Sequence, residues 1–185
     1  MTDVLILSTG GTIASTAGEE GARPTEAAED LVAAVPGLRN RIVLKQLAQR
    51  PSPDMDFELL NDLRERAAAH DAGVIVTHGT DTMAESAFYL DLVHDWEQPV
   101  VLTGAQRRPD QPGADGPANT LAAVTVAEEP AVRSAGGVYI CLNGEVHAAR
   151  DAVKAHTWRP DTFESPGKGP VAAVAPDGLE RYRDL

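Results

Sequence analysis

The sequence predicts an α/β fold, a Rossmann-like three-layer sandwich with a mostly parallel sheet and helices on both faces. Three features carry this. The chain is 43% hydrophobic but only 4% aromatic, so its core must be built from Ala, Val, Leu and Ile, as in sheets covered on both sides. Short apolar runs rich in β-branched residues, starting near Val4, Ile42, Val74, Pro99 and Gly137, are separated by stretches of helical character. Two of these runs end abruptly in glycine and hydroxyl residues, at the strand ends where open parallel sheets bind ligands. A length of 185 residues fits a single domain, 1–185.

Val4-Leu-Ile-Leu7 reads as the first buried strand, and it runs into Ser8-Thr-Gly-Gly-Thr-Ile-Ala-Ser15. Gly10 and Gly11 let the backbone turn sharply and present Thr12 at the sheet edge. The spacing matches neither a dinucleotide fingerprint nor a phosphate loop with its lysine. Ser15 to Arg23 lacks periodicity and reads as a mobile lid. Thr25 caps a helix over Glu26 to Val35, with Leu31, Val32 and Val35 on one face and Pro36-Gly37 as its stop.

Ile42 to Leu47 is the second strand. Arg50-Pro-Ser-Pro-Asp-Met55 is a rigid loop, and a helix follows near Phe57 to Ala69. Val74-Ile-Val is the third strand and breaks into Thr77-His-Gly-Thr-Asp-Thr-Met83, with Asp81 and Thr82 placed to cap a helix over Met83 to Val93. Pro99 to Thr103 is the fourth strand, followed by a long loop over Gly104 to Pro117 and a helix over Asn119 to Ala127. Gly137 to Leu142 is the fifth strand. Asn143-Gly144 turns it into an antiparallel return over Glu145 to Ala148, and a second C-terminal hairpin over Val171 to Tyr182 turns at Pro176-Asp-Gly178.

With 28 acidic against 16 basic residues the net charge is -12, which repels phosphate backbones and anionic lipid surfaces and argues against nucleic acid or membrane partners. No apolar run reaches membrane-spanning length and no signal peptide opens the chain, so a cytoplasmic location is expected. The single cysteine, Cys141, lies in an apolar run and reads as a buried core thiol.

Five pieces of this sequence, in this order, resemble the bacterial-type L-asparaginase/glutaminase family. They are Thr9-Gly-Gly-Thr-Ile13, Ser52-Pro-Asp-Met55, Thr77 to Met83, Thr103-Gly-Ala-Gln-Arg107 with Ala114-Asp-Gly-Pro117, and Arg150-Asp-Ala-Val-Lys154. The resemblance covers nearly the whole chain but corresponds only to the family's N-terminal, larger domain.

The resemblance implies hydrolysis of the side-chain amide of L-asparagine to L-aspartate and ammonia, with no metal and no organic cofactor. Thr12 would be the attacking hydroxyl. Thr80, Asp81 and Lys154 would form a second catalytic constellation, in which Thr80 bonds to Lys154 and Asp81 accepts the substrate's α-ammonium. Ser52 would hold the α-carboxylate, and the backbone around Ala105 would lie beside the scissile amide. A threonine hydroxyl is a weak nucleophile that needs a nearby base or positive charge, and a zwitterionic substrate needs an anion and a donor cluster to orient it. Only three lysines occur in the chain, which marks Lys154 as a position that asks for an amine. Glutamine or another small amide is the alternative substrate. A degenerate domain that binds amino acids without turnover is the alternative outside enzymes, although retention of Thr12, Thr80 and Lys154 favours chemistry.

The sequence departs from the family's pattern in three places. No tyrosine precedes Tyr89, whereas members usually place one in the loop after the first threonine. An acidic group that members take from the second domain of a neighbouring subunit has no counterpart. Pro53 also follows Ser52 where a smaller or amide residue is common. A homo-oligomer is therefore expected, in which a second copy covers the cleft and lends a group such as Glu19, Glu20 or Tyr182.

Overall fold

The computed structural model describes residues 3–16, 23–24, 28–35, 38 and 42–185. Its centre is an eight-stranded sheet. Five parallel strands form one side, in spatial order β7 (Val138–Leu142), β6 (Val100–Thr103), β5 (Val74–Thr77), β1 (Val4–Gly10) and β4 (Ile42–Arg50). Three antiparallel strands extend the sheet beyond β7, namely β8 (Glu145–Ala148), β11 (Ala172–Ala175) and β12 (Gly178–Arg181). The expected sandwich, the mostly parallel sheet and both C-terminal hairpins are thus present.

Every residue of β1, β5, β6 and β7 is buried, because these strands are covered on both faces. The pleat sorts their side chains with a period of two. Ile6, Ile75, Val101 and Cys141 join one core, with Val32, Ala123 and Val132 packed over them. Leu7, Val76, Leu102 and Ile140 join the other, against Leu63, Met83 and Leu90. Cys141 is buried and free, and burial pushes its thiol up to about 12.

The first core is covered by α1 (Ala28–Ala33), α4 (Gly116–Glu128) and α5 (Pro130–Ala135), the second by α2 (Phe57–Ala68) and α3 (Met83–Val93). The first helix was expected over Glu26 to Val35; its described part is Ala28–Ala33, while Thr25, Glu26 and Pro36-Gly37 lie outside the described residues. Helix α4 begins three residues before the expected Asn119, with Pro117 in its first turn, and α5 was not anticipated. Pro130 at its start and Gly136 after its end are the usual punctuation of a short helix.

Crossover direction explains how the loops meet. The chain leaves β1 for β4 by way of α1 on one face, then returns past β1 to β5 and on to β6 by way of α2 and α3 on the other face. These three connections share one hand. The step from β6 to β7 continues in the same direction, but its helices lie on the α1 face, so this crossover has the opposite hand from the other three. That inversion carries the loop after β6 toward the loop after β1. Ala105 packs with Ile13 and Ala14, and a Cβ on Gly116 would lie 2.8 Å from Ile13 Cγ1.

Candidate active site

The chain runs outward from β1 to β4 and then back to β5, so β1 and β5 are neighbours whose connections diverge. Their carboxyl ends therefore flank a crevice, the place where this topology binds ligands. Thr12 opens a turn of 3₁₀ helix, Thr12–Ala14, directly after β1, and Thr80 and Asp81 follow β5.

The crevice is closed to side chains by close backbone packing. Gly11 has φ 85°, and a Cβ there would lie 2.4 Å from the backbone nitrogen of Gly79. A Cβ on Gly79 would in turn lie 2.7 Å from the Cβ of Ser52. Glycine at these two positions lets three loops from β1, β4 and β5 converge. Hydroxyls reinforce the junction, since Thr9 Oγ1 donates to the Thr77 carbonyl at 2.8 Å and Thr77 Oγ1 to Ser8 Oγ at 3.1 Å.

A cleft of about 180 Å³ remains, lined by Thr12, Ser52, Thr80 and Asp81 together with Ser15 and the flanking Pro51 and Pro53. It is smaller than the roughly 300–1,000 Å³ of sites for drug-sized ligands, and suits a small metabolite. Four of the sequence-predicted residues thus face one space. Lys154 reaches its edge from β9 (Val153–Lys154), paired antiparallel with β10 (Phe163–Glu164). Its ammonium donates to Thr80 Oγ1 at 2.8 Å and to Asp81 Oδ1 at 2.5 Å. The Lys154 side chain is 15% exposed and that of Asp81 66%, so the pair has a sheltered amine and an open carboxylate.

Ala105, the remaining predicted position, is buried behind the crevice against Ile13 and Ala14 and does not line the cleft. Thr82 was expected to cap α3. It occupies the N-cap position, but its hydroxyl makes no cap bond and donates instead to the Ser52 carbonyl at 2.7 Å. This contact fixes the Ser52 turn to the start of α3, which a cap bond would not do. Asp81, the other expected cap, is held by Lys154.

His78 is fully buried beneath this loop, with Nδ1 2.6 Å from the Gly79 carbonyl and Nε2 without a partner among the described residues. Burial holds its imidazole below the ordinary value, so it sits there as a neutral ring. The ends of the expected lid pair as β2 (Ser15–Thr16) and β3 (Arg23–Pro24), while residues 17–22, with Glu19 and Glu20, lie outside the described residues. Tyr182 follows β12, five strands from β5 and about 24 Å away at roughly 4.8 Å per strand. It cannot reach the cleft of its own chain. Among the described residues, no three His, Cys, Asp or Glu side chains are grouped to hold a metal ion, and no helix is long and apolar enough to cross a membrane.

Known proteins share this arrangement of strands and loops. The family described as Asparaginase, N-terminal matches residues 3–185. The chain belongs to the asparaginase family. It is 38% identical over 183 residues to a probable periplasmic L-asparaginase of Haemophilus influenzae, covering 93% of this chain and 52% of that protein. It is 35% identical over 189 residues to one of the glutamyl-tRNA(Gln) amidotransferase subunits of Methanococcus maripaludis, covering 94% and 44%. Among solved structures, a probable cytoplasmic L-asparaginase from Campylobacter jejuni superposes with a TM-score of 0.92 at 32% identity, over 100% of this chain and 60% of that one. The chain spans about half the length of the curated relatives it matches.

Proposed function

We propose that this cleft hydrolyses the side-chain amide of L-asparagine, giving L-aspartate and ammonia. The observation that carries the reading is the Lys154 ammonium held 2.8 Å from the Thr80 hydroxyl at the edge of a small cleft that also contains Thr12. Thr12 attacks the amide carbon, the amide nitrogen leaves as ammonia, and water then releases aspartate from the threonine ester. Thr80 and Lys154 form the proton path and the positive charge beside the developing oxyanion. Asp81 exchanges its bond to Lys154 for one to the substrate's α-ammonium, and Ser52 holds the α-carboxylate, with the Ala105 backbone beyond the amide.

Glutamine is the second reading, supported by the likeness to an amidotransferase component as well as to asparaginases. The cleft volume of about 180 Å³ and the rigid Pro51 and Pro53 favour the shorter side chain. Comparing kcat/KM for ammonia release from the two amides tests this. A clear preference for asparagine is expected, and equal or higher values for glutamine would replace the first reading with the second.

The same proposal takes the active form to be a homo-oligomer in which a neighbour covers the open side of the cleft. Its compartment is the cytoplasm, as in the name of the Campylobacter relative. Diluting the enzyme through its dissociation range, with mass followed by light scattering, should lower specific activity as monomer appears. Constant activity per chain in a demonstrated monomer would refute the need for a neighbour.

A further inference from the structure

Lys154 reaches the cleft on a segment that is pinned at its ends. After β8, the chain runs back from Arg150 along helix α3 to Lys154. Arg150 bonds to Asp91 in the last turn of α3 at 3.1 Å, and Lys154 bonds to Asp81 just before its first turn at 2.5 Å. The two bonds lie four positions apart on this segment and ten apart on the α3 side, so the segment reaches from the last turn of α3 to the loop that enters it. Between the pins Ala149 and Ala152 are buried in the core that helix α3 covers, and a groove of about 560 Å³ opens on the exposed side beside Ala84, Phe88 and Val153. Helix α3 thus holds this segment from one side.

Asp151 adds a constraint of its own. Its side chain is only 7% exposed and accepts from Lys168 Nζ at 2.6 Å and from Arg183 at 2.9 Å. Lys168 belongs to the turn that follows β10, where its backbone N–H donates to the Ser165 carbonyl. Asp151 thus closes the base of the β9–β10 hairpin whose first strand ends in Lys154. Arg183 also donates to the Gly169 carbonyl, and its own backbone N–H donates to Val171 O at the start of the C-terminal hairpin. The carboxylate ties the Lys154 hairpin to the edge of the main sheet. The Lys168 and Arg183 cations hold its carboxyl below the ordinary value although burial pushes the other way.

We infer that Asp151 is a positioning residue for the proposed reaction, setting the Lys154 amine against Thr80 through the ion cluster with Lys168 and Arg183. The inference rests on the asparaginase reading of the cleft. Asp151 does not line the cleft, so its loss should act on the chemical step and leave substrate binding in place.

The test is Asp151→Asn, which keeps the shape and removes the charge. The expected result is a folded protein whose kcat for asparagine falls at least about tenfold while KM and the Kd of aspartate stay within about twofold. A folded variant with unchanged kcat would overturn the inference, as would kcat and aspartate affinity lost together. If Asp151→Asn does not fold, Lys168→Met and Arg183→Met each remove one partner; a severalfold loss in kcat at constant KM supports the role and unchanged kcat overturns it. A second readout needs no turnover. The chain has three lysines, so labelling with ¹⁵N-lysine and assigning by Lys45→Arg and Lys168→Arg isolates the Lys154 signal. A Lys154 signal shifted by Asp151→Asn supports the inference, and an unmoved one overturns it. An inactive wild type would instead refute the proposed function, leaving this spectrum to decide the role of Asp151.

Discussion

Lys154 and Thr80 stand 74 positions apart in the chain, and their side chains meet at 2.8 Å. Their contact joins the hairpin beyond the sheet to the loop after β5 and places an amine and a hydroxyl at the same edge of the cleft. The proposed amide hydrolysis depends on that junction.

Removing either hydroxyl should stop the chemistry without disturbing the fold. Thr12→Ala and Thr80→Ala are each expected to lower ammonia release by about 10²–10⁴-fold or more, the scale of a positioned proton-transfer or nucleophilic group. Circular dichroism melts should stay close to that of the parent. A Thr80→Ala enzyme with full activity would remove Thr80 from the mechanism.

In the proposed reaction Asp81 binds the substrate's α-ammonium. With its carboxylate 66% exposed and open to the cleft, Asp81→Asn should weaken aspartate binding in calorimetry by about 1.5–3 kcal/mol, the usual scale for a hydrogen bond to a charged group. An unchanged dissociation constant would contradict the assignment.

Close backbone packing makes Gly79 sensitive. A methyl group there would stand 2.7 Å from Ser52 Cβ and 2.8 Å from its hydroxyl oxygen. Gly79→Ala is therefore expected to displace the Ser52 turn, raising KM at least tenfold and costing about 1–3 kcal/mol in urea unfolding, as overpacking does. A normal KM would show that Ser52 does not hold the substrate.

Stability should fall on mild acidification. Burial holds the His78 and His147 imidazoles below the ordinary 6.5, so the unfolded chain takes up their protons first. Their contribution is complete above about pH 6.5 and declines as pH drops below that toward the lowered folded values. Asp56 and Asp151 act in a separate window, because carboxyls held below 3.8 retain their contribution until pH falls to that range. The urea midpoint should decrease between pH 7 and pH 5, and less steeply in His78→Gln. Parallel pH dependence in both proteins would assign the change to other groups.

Much of the fold and most of the cleft were legible in the sequence because they are written locally. Runs such as Val74-Ile-Val-Thr77 declare a buried strand by β-branching, and the glycines and hydroxyls that end them mark the turns where Thr12 and Thr80 stand. Helix α5 was missed because six residues carry too little periodicity, leaving only Pro130 and Gly136 as signals. The hand of the β6–β7 crossover, the Thr82 bond to Ser52 and the Asp151 cluster with Lys168 and Arg183 join segments distant in the chain. No local propensity records such partners. Thr82 shows the limit well, since the sequence favours a cap and tertiary packing gives its hydroxyl a carbonyl acceptor 30 positions away.

The proposed reaction breaks the side-chain amide of asparagine in this cleft. The most direct measurement is ammonia release from L-asparagine by the purified chain, followed against substrate concentration and compared with Thr12→Ala. Saturable release of one ammonia per aspartate formed, absent in Thr12→Ala, is the expected result. Aspartate binding in calorimetry with no ammonia released at any asparagine concentration would contradict it and leave the chain an amino-acid-binding domain.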